Sequence, residues 1–172
     1  YSHAKLSSFS EHGPYLVGPL ARLNLDVPLE PSAQAALQRY NSRLLGAPLT
    51  ASHLARAIEL LQAIERAMVL CRQLLQNGLQ PEQAAAVQPR AGSGTALIEA
   101  PRGLLLHQYS FNDAGYCIAA QVVTPTAINQ GAMALMLSDL LQRLPDADPD
   151  SFKLQAERLI RCFDPCISCA VH

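Results

Sequence analysis

The sequence predicts a mainly α-helical protein with one small β-hairpin, an α+β chain. Three observations carry this. Long stretches repeat apolar residues every three or four positions, two short strand-like runs flank a turn-forming Asn-Asp-Ala-Gly, and glycine and proline crowd the ends of these segments. With 172 residues the chain fits one domain, long enough to bury about 70% of its unfolded surface.

Residues 1–31 carry Gly13, Pro14, Gly18, Pro19, Pro28 and Pro31, which punctuate loops and short turns and give this segment the character of an internal loop. From Ser32 to Leu45, SAQAALQRYNSRLL suits a helix stopped by Gly46 and Pro48. A stronger helix follows. Thr50 or Ser52 is placed to cap it, Leu54, Ile58, Leu61, Met68, Cys71 and Leu75 form its apolar stripe, and Gly78 closes it. Arg56, Glu59, Arg66 and Arg72 lie largely off that stripe, as expected of a helix packed on one side.

The stretch PRAGSGTALIEAPRG, residues 89–103, reads as a glycine-rich, small-residue lead into LLLHQYSFNDAGYCIAAQVV. There, Leu104–Tyr109 and Tyr116–Val123 flank the turn residues 112–115 and predict the hairpin. After Pro125 a helix is expected from about Asn129 to Leu144. DADPDS then turns into a last helix, Ser151 to about Cys162, with Phe152, Ala156, Leu159, Ile160 and Phe163 on its inner face and Pro165 at its end. No internal repeat or low-complexity linker interrupts this order.

Apolar residues make up 49%, charged residues 16%, and the net charge is −1. Such a balance offers no electrostatic basis for a nucleic-acid or anionic-membrane partner. So few charges are expected where another subunit covers part of the surface, although an Ala/Leu-rich helical domain has the same composition. The opening YSHAKLSSFSEHGPY lacks the apolar core of a signal peptide. No window approaches the roughly 18 apolar residues of a membrane span, so a cytoplasmic protein is expected. Five cysteines, an odd count, argue against a secreted disulfide framework and towards metal or redox chemistry.

That chemistry gathers in DPCISCAVH, residues 164–172, with Cys166, Cys169 and His172. A CxxC after Asp-Pro at a helix end suits a dithiol redox pair, half of a tetrahedral zinc site, or a chelate for a softer transition metal. The pair follows a helix, so it lacks the N-terminal dipole that lowers a thiol pKa in thioredoxin-like proteins. Zinc needs four ligands, and no second CxxC is present. Spacing alone leaves these readings open beside an ordinary buried pair of cysteines.

The surrounding motifs are more specific. PRGLLLHQYSFNDAG, VVTPTAINQ and FDPCISCAVH, in that order, resemble the C-terminal part of the large subunit of nickel-iron hydrogenases. YSHAK and HGPYLVGPLARLNL near the start are similar to the region preceding it in the soluble, cytosolic members, so the resemblance covers essentially the whole chain. It implies that part of the large-subunit fold and reversible heterolytic cleavage of molecular hydrogen at a nickel-iron centre whose iron carries carbon monoxide and cyanide. In that family a protease cuts after the histidine of the last motif, so an end at His172 would be the mature form.

By the same resemblance, Cys166 is the terminal nickel ligand and Cys169 bridges nickel and iron, a role that soft thiolates suit. Arg102 of the PRG motif would lie over the metals, where its fixed charge and planar donors suit anionic ligands and incoming hydrogen, with Pro101 shaping the pocket wall. Thr126 of TPTAIN would donate to a cyanide, a role that can coexist with helix capping. The resemblance also implies a Mg2+ or similar hard-cation site at His172 and a main-chain carbonyl near Val122, although that site's carboxylate is missing here. The base that takes the proton would be a nickel-bound thiolate, with Arg102 the other candidate.

This chain departs from the family pattern in one large respect. The other two cysteine ligands sit in an RxCGxCxxxH-type motif that is absent, as is a proton-relaying glutamate of the same region. Cys71 and Cys117 stand alone, and Cys71 and Cys162, both on helices, are expected to be small buried thiols. A separate polypeptide is therefore expected to bring the missing pair, so that an isolated chain would be inactive. An iron-sulfur small subunit would carry the electrons, since no further cysteine groups exist for clusters. Further electron-transfer subunits would reach the acceptor, with NAD(P) the expected carrier. His3, His12, His53 and His107 are read as surface or hydrogen-bonded residues. Two alternatives remain at this stage, a non-catalytic hydrogenase-like scaffold of a redox complex and a small zinc-binding interaction module.

Overall fold

The computed structural model describes residues 12–25, 27–40, 44, 48–79, 81–166 and 168. In chain order the elements are α1 (Pro19–Leu23), α2 (Pro31–Tyr40), a short 3-10 turn (Leu49–Ala51), α3 (Ser52–Asn77), strands β1 (Gly92–Ala100), β2 (Gly103–Phe111) and β3 (Cys117–Val123), then α4 (Pro125–Arg143) and α5 (Pro149–Phe163). The mainly helical class with a small antiparallel sheet is the one expected.

Helices α1 and α2 pack on the first half of α3. Ala33, Leu44, Ala55 and Ile58 form the buried cluster, with Leu20, Leu23, Leu37 and Leu54 against it. Polar groups of α3 close the open end of α2. Gln62 Oε1 accepts from Glu30 N, and the Glu65 carboxylate accepts from Ser32 N and Ala33 N, so helix donors with no partner in their own helix are met by a neighbour.

Several local readings need correction. The expected cap of α3 fails, because Ala51 is the N-cap and no side chain caps it. Ser52 instead sends its hydroxyl across to Cys162 O at 2.8 Å. The apolar stripe of α3 is buried only near its start, since Ile58 is covered while Met68, Cys71 and Leu75 are exposed, so Cys71 is not a buried thiol. Cys162 is, with 3% of its surface exposed.

The glycine-rich lead into the hairpin is itself a strand. β1 pairs antiparallel with β2 from Gly92↔Phe111 to Ala100↔Gly103, and β2 with β3 from Leu106↔Val123 to Phe111↔Cys117. Small residues and an exposed course hid it, because no alternation of apolar and polar positions arises where neither face is covered. The predicted turn holds: Asn112 Oδ1 accepts from Ala114 N and Tyr116 N. Helix α4 begins four residues earlier than expected, since Thr124 caps it by accepting from Ala127 N and Pro125 fits the first helical position. Helix α5 is capped by Asp148, which accepts from Asp150 N and Ser151 N.

Candidate metal centre

The site is built where four chain segments meet: the turn between β1 and β2, the first turn of α4, the start of α1, and the chain leaving α5. Asp164 ends α5 in the left-handed region, with φ 50° and ψ 56°. Asp and Asn tolerate that region better than most side chains, and Pro165 prevents the helix from continuing. The chain therefore turns sharply into Cys166.

Three side chains hold this turn. Arg102 Nε donates to Asp164 O at 2.8 Å and lies 3.2 Å from its carboxylate. Arg56 of α3 approaches the same carboxylate at 3.7 Å and donates to Cys162 O at 3.2 Å. Thr126 Oγ1, in the first turn of α4, accepts from Cys166 N at 3.1 Å. Thr126 is buried, with the cap role taken by Thr124. Accepting from Cys166 leaves its own hydroxyl proton to be donated elsewhere.

The PRG turn is seated as tightly. Gly103 has φ 134°, and a Cβ there would meet Val17 Cγ2 at 2.6 Å; one on Gly18, with φ 121°, would meet Arg102 O at 2.9 Å. Val17 is fixed in turn by Asn129, whose side chain accepts from Val17 N at 2.9 Å and donates to Val17 O at 3.1 Å. Thr126 and Asn129 are three residues apart on one helix face, so one turn of α4 holds both the Cys166 segment and the cradle of Arg102.

Of the expected site residues, Arg102, Thr126 and Cys166 are thus brought together. Pro101 forms the exposed tip of the β1–β2 turn. Val122 is half-exposed on β3 in register with His107. Cys169 and His172 lie outside the described residues, and with them the cation site. Cys166 is disulfide-bonded, with Sγ 3.4 Å from Ser168 Oγ. Burial pushes the Cys162 thiol above its ordinary range, so it stays protonated, a covered structural group.

Sequence reasoning gave no role to Asp164, Asn129, Arg56 or Arg22. Asp164 and Asn129 stood inside the motifs already noted, and the three-residue spacing of Thr126 and Asn129 was the available signal for a shared face. Arg56 was read only as one of the charges off the apolar stripe of α3.

The described residues offer one cysteine, anchored through its N–H by a buried hydroxyl and lying two residues beyond an aspartate held by two guanidinium groups; among the described residues no three His, Cys, Asp or Glu side chains are gathered that could hold a metal ion. The chain belongs to the nickel-dependent hydrogenase family, whose sequence model matches residues 1–172. Among its relatives, subunit alpha of sulfhydrogenase 2 from Pyrococcus furiosus is 37% identical over 174 residues, covering 100% of this chain and 42% of that protein. The beta subunit of the NAD-reducing hydrogenase HoxS of Cupriavidus necator is 32% identical over 94% of this chain and 35% of that protein. The crystal structure of an NAD+-reducing nickel-iron hydrogenase in the H2-reduced state superposes with a TM-score of 0.80 at 29% identity, covering 95% of this chain and 37% of that one. The chain thus spans about a third to two fifths of the length of the curated relatives it matches.

Proposed function

We propose that this chain is the C-terminal part of a hydrogenase large subunit and that it takes part in reversible heterolytic cleavage of hydrogen at a nickel-iron centre. It would supply Cys166 and Cys169 as two of four cysteine ligands. The observation that carries the reading is the convergence of PRG, TPTAIN and DPC, distant in sequence, through Arg102–Asp164 and Thr126–Cys166.

When bound, the nickel-iron pair, with carbon monoxide and cyanide on iron, would supply the Lewis-acidic, redox-active site at which hydrogen is polarised. The residues of this chain would bind and orient it. Cys166 would serve as a ligand in its reduced thiolate form, not as the disulfide. Its backbone anchor on Thr126 then fixes the direction of the thiolate, which takes up a proton at sulfur. Arg102 holds a permanent positive charge beside that segment for anionic ligands, with Pro101 next to it in the wall, and the Thr126 hydroxyl is left to donate to a cyanide. His172 and the Val122 carbonyl would serve a Mg2+ or similar hard cation.

The remaining ligands and the rest of the large-subunit fold would come from beyond this sequence, in a segment bearing an RxCGxCxxxH-type pair. Exposed apolar groups support that: Leu97, Ile98 and Ile118 on the outer strands, and Ile64, Met68 and Leu75 on α3, are half-exposed or more. An iron-sulfur small subunit and further electron-transfer subunits would lead to a soluble acceptor, NAD(P) by analogy with the relatives named above, in the cytoplasm. Among the described residues no helix is long and apolar enough to cross a membrane.

Metal analysis and infrared spectroscopy of the assembled complex test this. Nickel with iron, and bands of iron-bound carbon monoxide and cyanide, are expected, with hydrogen turnover lost in Cys166→Ser and Cys169→Ser. No metal would favour a scaffold subunit, zinc alone an interaction module, and either result sinks the reading.

A further inference from the structure

Arg22, in the last turn of α1, spends every donor it has. Nε donates to Glu59 Oε1 at 2.7 Å and Nη2 to Glu59 Oε2. Nη1 donates to Glu99 Oε2 at 2.7 Å and to Ala100 O at 2.9 Å, and Nη2 to Pro101 O at 2.9 Å. Its five N–H groups thus meet five acceptors, the full capacity of a guanidinium. Three of those acceptors belong to Glu99, Ala100 and Pro101, the residues immediately before Arg102. The other two belong to Glu59, one turn along α3 from Arg56, which reaches Asp164.

We propose that Arg22 is a positioning residue for Arg102, clamping the last residues of β1 to α3 so that the Arg102 guanidinium is held over the Cys166 segment. The β1–β2 ladder fixes how the two strands pair, but not where the end of the hairpin lies relative to α3. Arg22 sets that distance, because one rigid planar group bridges the helix carboxylate and two successive turn carbonyls. On the other side Val17 and Gly18 close against Gly103 and Arg102 O, so the turn is gripped from both flanks. A lysine, with three donors on a flexible stem, keeps the charge but cannot span Glu59, Glu99 and both carbonyls together.

The inference rests on the reading of Arg102 as a residue facing the nickel-iron pair, and the test separates the two. In the assembled complex, Arg22→Lys is expected to lower hydrogen turnover by about 10- to 100-fold, the scale of a misplacement on the order of 1 Å. Nickel content should not change, and the infrared bands of the diatomic ligands should shift in the same direction as in Arg102→Lys. The double variant should be no slower than Arg102→Lys alone, since a clamp with nothing to position has no further effect. Losses that multiply in the double variant overturn the proposal, as does Arg22→Lys with normal turnover and spectrum beside an impaired Arg102→Lys. If Arg102→Lys is itself normal in both readouts, the reading of Arg102 falls and this one with it. Should Arg22→Lys fail to assemble, Glu99→Gln takes its place, since the Glu99 side chain is 53% exposed and holds only the hairpin end of the clamp. A several-fold loss with the same band shift is expected there, and an unshifted spectrum refutes the clamp.

Discussion

Asn129→Ala isolates the joint between α4 and the cradle of Arg102. Asn129 is 4% exposed and makes two hydrogen bonds, both to the backbone of Val17. Truncation removes both at once and leaves the N–H and C=O of a half-buried residue without their partner. Each such group costs about 1–2 kcal/mol when water replaces the lost partner incompletely, so the pair amounts to roughly 2–4 kcal/mol. The loss is local, and hydrogen exchange at the Val17 amide is therefore the direct measurement. At about 1.4 kcal/mol for each factor of ten, exchange should accelerate roughly 30- to 1000-fold. Gly103, which packs on Val17, should follow, while amides in the middle of α3 remain protected. Unchanged protection at Val17, or a loss spread evenly over the chain, would refute the claim that Asn129 is the local latch.

Gly103→Ala should be more damaging than an ordinary strand substitution, because its Cβ falls 2.6 Å from Val17 Cγ2 at a φ of 134°. A destabilisation of about 2–4 kcal/mol is expected from strain and overpacking, read as a lower denaturation midpoint. Glu65 is held below its ordinary value of 4.5 by the Ser32 hydroxyl and by the backbone N–H groups of Ala33 and Ser32, with burial opposing. Its contribution is complete above that ordinary value and disappears as pH falls through the depressed one, so α2 should loosen in acid and Glu65→Gln should flatten that part of the stability profile. Burial raises the Cys162 thiol above its ordinary 9.0, so alkylation of this folded chain without its partners should spare it while Cys71 and Cys117, both exposed there, react. Equal labelling of the three would show that α5 does not cover Cys162.

The sequence alone determined the helical class, the extents of α3, α5 and the β2–β3 hairpin and the motifs of the centre, but not α1, β1 or the end of α2. These are local properties: the Asn-Asp-Ala-Gly turn satisfies its own backbone through Asn112, and Pro165 stops α5 whatever surrounds it. Periodicity failed where the chain relies on contacts absent from it. β1 went unread because neither face of that strand is covered, and Cys71 was expected to be buried because the stripe of α3 continues past the last residue that packs on it. Only the tertiary structure decided which neighbours the motifs have. Ser52 looked like a cap and proved to be a long-range bond to Cys162, Thr126 left capping to Thr124 and anchors Cys166, and Arg22 and Asn129 hold the Arg102 turn from two sides. Such bonds join residues about 40 to 110 positions apart, and no spacing rule reaches that far, because their geometry depends on how whole helices pack rather than on the conformation of any one segment.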